Sequence, residues 1–157
     1  MAPDLPIKMP GSAPTTEQIV AAQQLLVAAK YTKDAEDEEA FVQIWAHGAR
    51  LIIETNGRQL APLVGRAAIL DFYRGNWSAA AHGSGAGREV HVAEPAHITR
   101  LPDGRLLAQH NAIFAAMPGE EPLLIGFAQF RDELVFEEGS WRIITRHSTI
   151  KRRAKRP

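Results

Sequence analysis

The sequence predicts an α+β fold, with three N-terminal helices packed on a strongly curved antiparallel sheet. Apolar residues recur at helical spacing only in the first half of the chain, whereas the second half resolves into four long strand-like segments divided by turn sequences. Between the helices lies a short hairpin, marked by Asn56-Gly57.

Residues 1–14 carry four prolines and no periodicity and read as a flexible arm, so the domain is expected over 15–150. Thr15 and Gln18 form a T-x-x-Q capping box that starts the first helix. Its apolar positions Ile19, Ala22, Leu26 and Ala29 end it near Tyr31. Asp34 and Asp37 open a second helix, with Phe41, Ile44 and Trp45 as its apolar stripe and Gly48 as its stop. Arg50–Glu54 and Arg58–Pro62 flank the hairpin turn. A third helix over Gly65–Trp77 buries Ile69, Phe72, Tyr73 and Trp77, and the small, glycine-rich run Ala79–Gly87 is a loop. The strand segments cover roughly 88–101, 105–117, 122–137 and 140–150, separated by Pro102-Asp103-Gly104, Pro118-Gly119 and Glu138-Gly139. Helices gathered on one face of a bent sheet would enclose a cone-shaped pocket. The basic run KRRAKRP, 151–157, reads as a solubilising tail.

Composition narrows the function. At 157 residues the chain fits one domain, and 18 basic residues balance 18 acidic ones. A neutral body argues against nucleic acid as a partner, and no apolar run reaches the roughly 20 residues of a membrane span. Without cysteine, disulfides, thiolate catalysis and cysteine-bound zinc are excluded. The N-terminus lacks the basic start and long apolar segment of a signal peptide, so a soluble cytoplasmic protein is expected. No nucleotide-binding glycine pattern and no H-x-H or H-x-x-x-H spacing occurs, so neither a cofactor nor a metal is expected, and His47 and His82 join no metal constellation.

Three segments carry a family resemblance. YTKDAEDEEAF (Tyr31–Phe41), REVHVAEPAHI (Arg88–Ile98) and GFAQFRDELVFEEGSWRIITRH (Gly126–His147), together with GRAAILDFY, occur in the order and spacing of the SnoaL-like branch of the NTF2-like superfamily. The resemblance spans about residues 15–150 and implies the NTF2-like cone. That superfamily includes scytalone dehydratase, a hexachlorocyclohexane dehydrochlorinase, bile-acid dehydratases, ketosteroid isomerase, polyketide cyclases and the β subunits of ring-hydroxylating dioxygenases. In its dehydratase-like enzymes a pocket histidine acts as base beside an aspartate. By motif these correspond to His91 and Asp34. Lys33 stands where scytalone dehydratase has a tyrosine, and that enzyme's second catalytic histidine falls near Ala116. A homodimer is implied in the same way.

The residues themselves fit such chemistry. A carboxylate fixes the imidazole tautomer and stabilises the imidazolium, and an imidazole with a pKa of about 6.5 is a useful base near neutral pH. Asp34 reads equally as a helix N-cap, and His91 as a satisfied structural histidine. His110 shares its strand face with Leu106, Ala108, Ala112 and Phe114, where it either assists catalysis or is a hydrogen-bonded core residue; Asn111 faces the other way. His97 lies too far along from His91 to join the same site. Tyr31, Trp45, Phe72, Tyr73 and Trp77 form either core packing or an aromatic substrate wall. Phe127, Gln129 and Arg131 share one face of the third long strand and Phe130 and Asp132 the other. The first set is taken as substrate-binding, although the pattern leaves open which face lines the cavity. Trp141 and Arg146 read as structural. The expected activity is a cofactor-independent lyase or isomerase on a hydrophobic cyclic or aromatic small molecule. The alternatives are a polyketide cyclase and a non-catalytic binding protein or structural subunit resembling a dioxygenase β chain.

Overall fold

A computed structural model of the chain describes residues 11–82, 89–116 and 121–153. The Pro118-Gly119 turn, most of the glycine-rich run and the end of the basic tail lie outside the described residues.

Helix α1 spans Thr16–Ala35 and begins on the expected capping box, with the Thr15 and Gln18 side chains each accepting from the other's backbone N–H. It runs four residues past Tyr31, because its buried stripe (Ala22, Leu26, Ala29) continues into side chains that bond the sheet. Glu36, at φ 57°, ends it in the left-handed region, and the Asp37 N–H donates back to the Thr32 carbonyl. Asp34 therefore lies in the last turn of α1 and does not open the next helix. That role belongs to Asp37, whose carboxylate accepts from Ala40 N–H at the start of α2, Glu38–Gln43. Helix α2 stops before Gly48, because strand β1, Trp45–Thr55, begins there and pairs with the far end of the chain.

The hairpin turns as expected at Asn56-Gly57, both at positive φ, into β2, Arg58–Gln59. Strand β3, Leu63–Val64, leads into α3, Arg66–His82, which extends into the run expected to be a loop. The first long strand is broken into β4, Glu89–Ala93, and β5, His97–Arg100, by Glu94-Pro95-Ala96, where proline withholds a ladder N–H. Strands β6 (Leu106–Ala116), β7 (Leu123–Glu137) and β8 (Ser140–Arg152) follow, the last running into the basic segment.

The sheet order is β2-β1-β8-β7-β6-β4, with β3 on β1 and β5 on β6. All pairs are antiparallel except β1–β8, so the sheet is mixed where an antiparallel one was expected. Local patterning shows strands but not the direction in which partners more than ninety residues apart will meet. Register shifts in β1, between Phe114 and Ala115, and between Glu133 and Leu134 bend the sheet. It curls without closing, since β2 and β4 do not pair. At Gly126 a Cβ would collide with the Lys151 carbonyl, so β7 needs glycine where it passes that part of β8.

Helices α2 and α3 cover the β1 side of the concave face. There Phe41 meets Trp45, Tyr73 and Trp77 edge-on at ring separations of 5.9, 4.9 and 5.7 Å. Helix α1 crosses toward β4 and leaves space beneath it. No helix among the described residues is long and apolar enough to cross a membrane.

Candidate active site

Strand β4 and the last turn of α1 bring Asp34 onto His91 twice. One carboxylate oxygen lies 2.6 Å from the imidazole Nδ1, and the other accepts the His91 backbone N–H at 2.9 Å. Two bonds from one carboxylate fix both the strand position and the ring, and place the ring proton on Nδ1. His91 Nε2 has no protein partner among the described residues and carries the free lone pair. The ring stands edge-on to Phe114 at 4.5 Å. Lys33 Nζ lies 3.5 Å from Nδ1 and 3.6 Å from the Asp34 carboxylate, close enough to act by charge. Glu89 and Arg152, in a bidentate pair at 2.8 and 3.0 Å, flank the site, with the guanidinium over the Phe114 ring.

Burial pushes the His91 imidazole below its ordinary value against the pull of its bond to Asp34, and the Lys33 charge adds to the lowering. Burial alone would raise the Asp34 carboxyl, but the bonds and charge from His91, with Lys33, outweigh it and hold it low. Lys33 is itself lowered, chiefly by burial. At neutral pH the pair is an anionic carboxylate holding a neutral, proton-accepting imidazole, as a general base requires.

Deeper in the sheet a second pair repeats the theme. His110 Nε2 lies 3.1 Å from Asp132, which also takes two bonds from Arg146 at 2.7 and 2.8 Å. Asp132 is wholly buried, and burial would raise its carboxyl but for Arg146, which holds it low; Asp132 in turn raises Arg146 against the effect of burial. His110 stacks on Phe130 at 4.9 Å, and its Nδ1 is buried without a partner. Along β6, His110 lies four residues from Phe114, the cross-strand partner of His91. That separates the two rows by roughly 13 Å. Between them, Ala93, Ala112 and Ala128 stand in register across β4, β6 and β7.

A cavity of about 370 Å³ lies beneath α1, lined by Gln23, Leu26, Val27 and Lys30 of that helix, by 93–96, and by His110. It falls within the range of small-molecule sites. Gln23 clasps the break between β4 and β5, its amide donating to the Ala96 carbonyl at 2.9 Å and accepting the Ala96 N–H at 3.2 Å. Asp34 and His91 do not themselves line the cavity. They sit one helical turn beyond Lys30 and two strand residues before Ala93, at its end.

The sequence also matches a known family. A family model described as a SnoaL-like domain aligns with residues 14–147. The chain belongs to the SnoaL-like family. Among proteins of curated description, none matches. Similar solved structures show the NTF2-like fold alone, at low identity. Aln2 from a Streptomyces species is 21% identical with a TM-score of 0.72, over 90% of this chain and 94% of that one. A protein from Catenulispora acidiphila, solved in complex with S-DNPA, is 16% identical with a TM-score of 0.72, over 87% and 95%. The β subunit of a proposed aromatic-ring-hydroxylating dioxygenase from Novosphingobium aromaticivorans is 12% identical with a TM-score of 0.69, over 89% and 94%.

In this SnoaL-like domain the structure joins Asp34 to His91 and places His110 on the cavity wall, but it puts the expected substrate wall elsewhere. Trp45, Tyr73 and Trp77 are spent in the core cluster around Phe41, and Phe72 packs on Tyr73 at 5.4 Å. Burial raises the Tyr73 phenol. Tyr31 is 74% exposed. Phe127, Gln129 and Arg131 lie on the outer face of β7, because Phe130 and Asp132 face inward. None of these eight residues lines the cavity beneath α1.

Sequence reasoning passed over Lys30, Gln23 and the coupling of Asp132 to Arg146. Lys30 is legible afterwards as the residue one turn before Asp34, on the same helix face. His47 also has neighbours that sequence spacing did not show. In space it meets Glu137 and Glu138, with donor atoms within 4.8 Å of one another, a group that could hold a metal ion. The carboxylates come from the far side of the sequence, so no spacing motif shows them. In the structure they pair with His47 itself and, through Glu138, with Arg142.

Proposed function

We propose that this SnoaL-like protein is a cofactor-independent lyase or isomerase acting on a hydrophobic cyclic or aromatic small molecule, with dehydration or a related elimination as its leading reaction. The observation that carries the reading is the twofold hold of Asp34 on His91 at the end of the cavity. Its Nε2 takes a proton from carbon beside an electron-withdrawing group. The released electron pair forms the new double bond, and the leaving group departs with its own bonding pair. Asp34 stabilises the imidazolium until that proton is passed to the leaving group or, in an isomerase, back to carbon. His110 assists from the cavity wall. An aldol-type cyclisation would use the same proton transfer, which keeps the cyclase reading close to this one.

The reading includes a homodimer. Val92, Ile113 and Phe127 stand in register across β4, β6 and β7 on the outer face, and each is exposed. Such an in-register apolar row suits burial against a second copy. Phe127→Glu should convert a dimer to a monomer in sedimentation equilibrium, and an unchanged mass would remove this part. The likeness to a dioxygenase β subunit favours one alternative, a structural subunit with no turnover of its own. Purified His91→Ala and Asp34→Asn decide between them on hydrated or halogenated ring substrates. Loss of most turnover in folded variants supports the base, and full activity in both removes it.

A further inference from the structure

The cavity beneath α1 contains two polar groups that the protein leaves unsatisfied. Lys30 has no ion pair or hydrogen bond among the described residues, yet it is half-buried against Leu26, Val27 and the β4–β5 break. His110 Nδ1 is fully buried and equally without a partner. Most of the remaining lining is apolar: Leu26, Val27, Ala93, Pro95 and Ala96. A buried polar group without a partner is costly, so a ligand that meets both groups is preferred over one that meets neither.

The nearby carboxylates do not take up Lys30. Asp34 is spent on His91, Asp132 on Arg146 and His110, and Glu94, on the cavity's own lining, accepts twice from Asn111. Asp34 and Asp132 act on Lys30 by charge without contact, and Arg146 opposes them. The ammonium is left facing the cavity, where it suits an anionic oxygen. His110 calls for the opposite partner. Nε2 faces the Asp132 carboxylate, which can only accept, so the ring tautomer with its proton there leaves Nδ1 as an acceptor. It suits a hydroxyl.

We infer that the cavity selects a compact hydroxylated ring acid, with its carboxylate on Lys30 and its hydroxyl on His110. The inference deepens the reading above and rests on the cavity being that protein's substrate site. The size agrees, since about 370 Å³ lies at the small end of ligand sites and suits one or two rings.

Calorimetric titration of the intact protein with 3- and 4-hydroxybenzoate, benzoate, phenol and toluene tests this without turnover. The better hydroxybenzoate should bind about tenfold more tightly than benzoate or phenol, one such bond being worth about 1.4 kcal/mol. Lys30→Met should erase the preference over phenol. His110→Phe should erase the preference over benzoate. Because His110→Phe removes a partner of buried Asp132, the wild-type protein labelled at histidine nitrogen provides a second readout, in which the His110 Nδ1 resonance should move on adding the hydroxybenzoate and stay still with benzoate. Equal binding of toluene and the hydroxybenzoates, unchanged by Lys30→Met, overturns the inference and leaves the cavity as a ligand site. No binding of any ring compound overturns both.

Discussion

Asp34 and Asp132 each hold a histidine on the same concave face, but under different obligations. Asp132 is wholly buried and divides its oxygens between His110 and the Arg146 guanidinium. Asp34 gives both oxygens to one residue, His91, at the rim where α1 ends. A carboxylate in the last turn of a helix meets the negative end of the macrodipole, an arrangement that costs stability. The first pair is built like a brace and the second like a tool. What surrounds the pair, more than the pair itself, decides how far its imidazole is tied into the fold and how far it is free to take a proton.

The sharpest way to break this contrast is to remove each carboxylate in turn. Asp34→Asn should lower turnover by roughly 10²–10⁴-fold, the usual worth of a positioned general base, while leaving the melting temperature within a few degrees. Asp132→Ala should act first on stability, costing about 3–5 kcal/mol because a buried Arg146 is left without its partner. For a chain of this length that lowers the midpoint by on the order of 10 °C. Equal losses of stability in both variants would mean that the two pairs are both structural.

The contrast also shows what was legible beforehand. Fold class, the capping box, the Asn56-Gly57 turn and the inward phase of His110 are written locally, in caps, turns and alternation. So is the meeting of Asp34 and His91, through the family motif. The cavity wall was not legible. Trp45, Tyr73 and Trp77 look equally apt for a core or a binding wall until Phe41 claims them. Strand β7 carries aromatic and charged residues on both faces, so alternation alone could not turn Asp132 inward and Arg131 outward. Lys30 looked like any helix lysine, because its importance lies in the partners it lacks.

A finer test uses acid. Burial sets the folded His91 value below 6.5, so just below that pH the unfolded chain binds more protons than the folded one. The stability tied to His91 is then full above 6.5 and declines as pH falls through the folded value. Asp34 and Asp132, held below the ordinary carboxylate value, add a second decline in a lower window. The acid limb of kcat/KM should follow His91 and lie below pH 6.5, and a limb above that value would assign the base elsewhere.

The smallest expected effect belongs to Lys33, and it isolates charge from contact. Its ammonium lies 3.5 Å from His91 Nδ1, beside a proton already committed to Asp34, so it acts on the imidazole by repelling the imidazolium. Lys33→Met keeps the aliphatic stem against the helix while removing that repulsion. The acid limb of kcat/KM should move upward in pH, with the plateau rate nearly unchanged, because the base is still present and still held. Added salt should shrink the difference between variant and wild type, since part of the pair is solvent-accessible and screened. A fallen plateau with an unmoved limb would instead make Lys33 a contact for the substrate, and the rim pair would then be a three-residue device with no counterpart in the brace at Asp132.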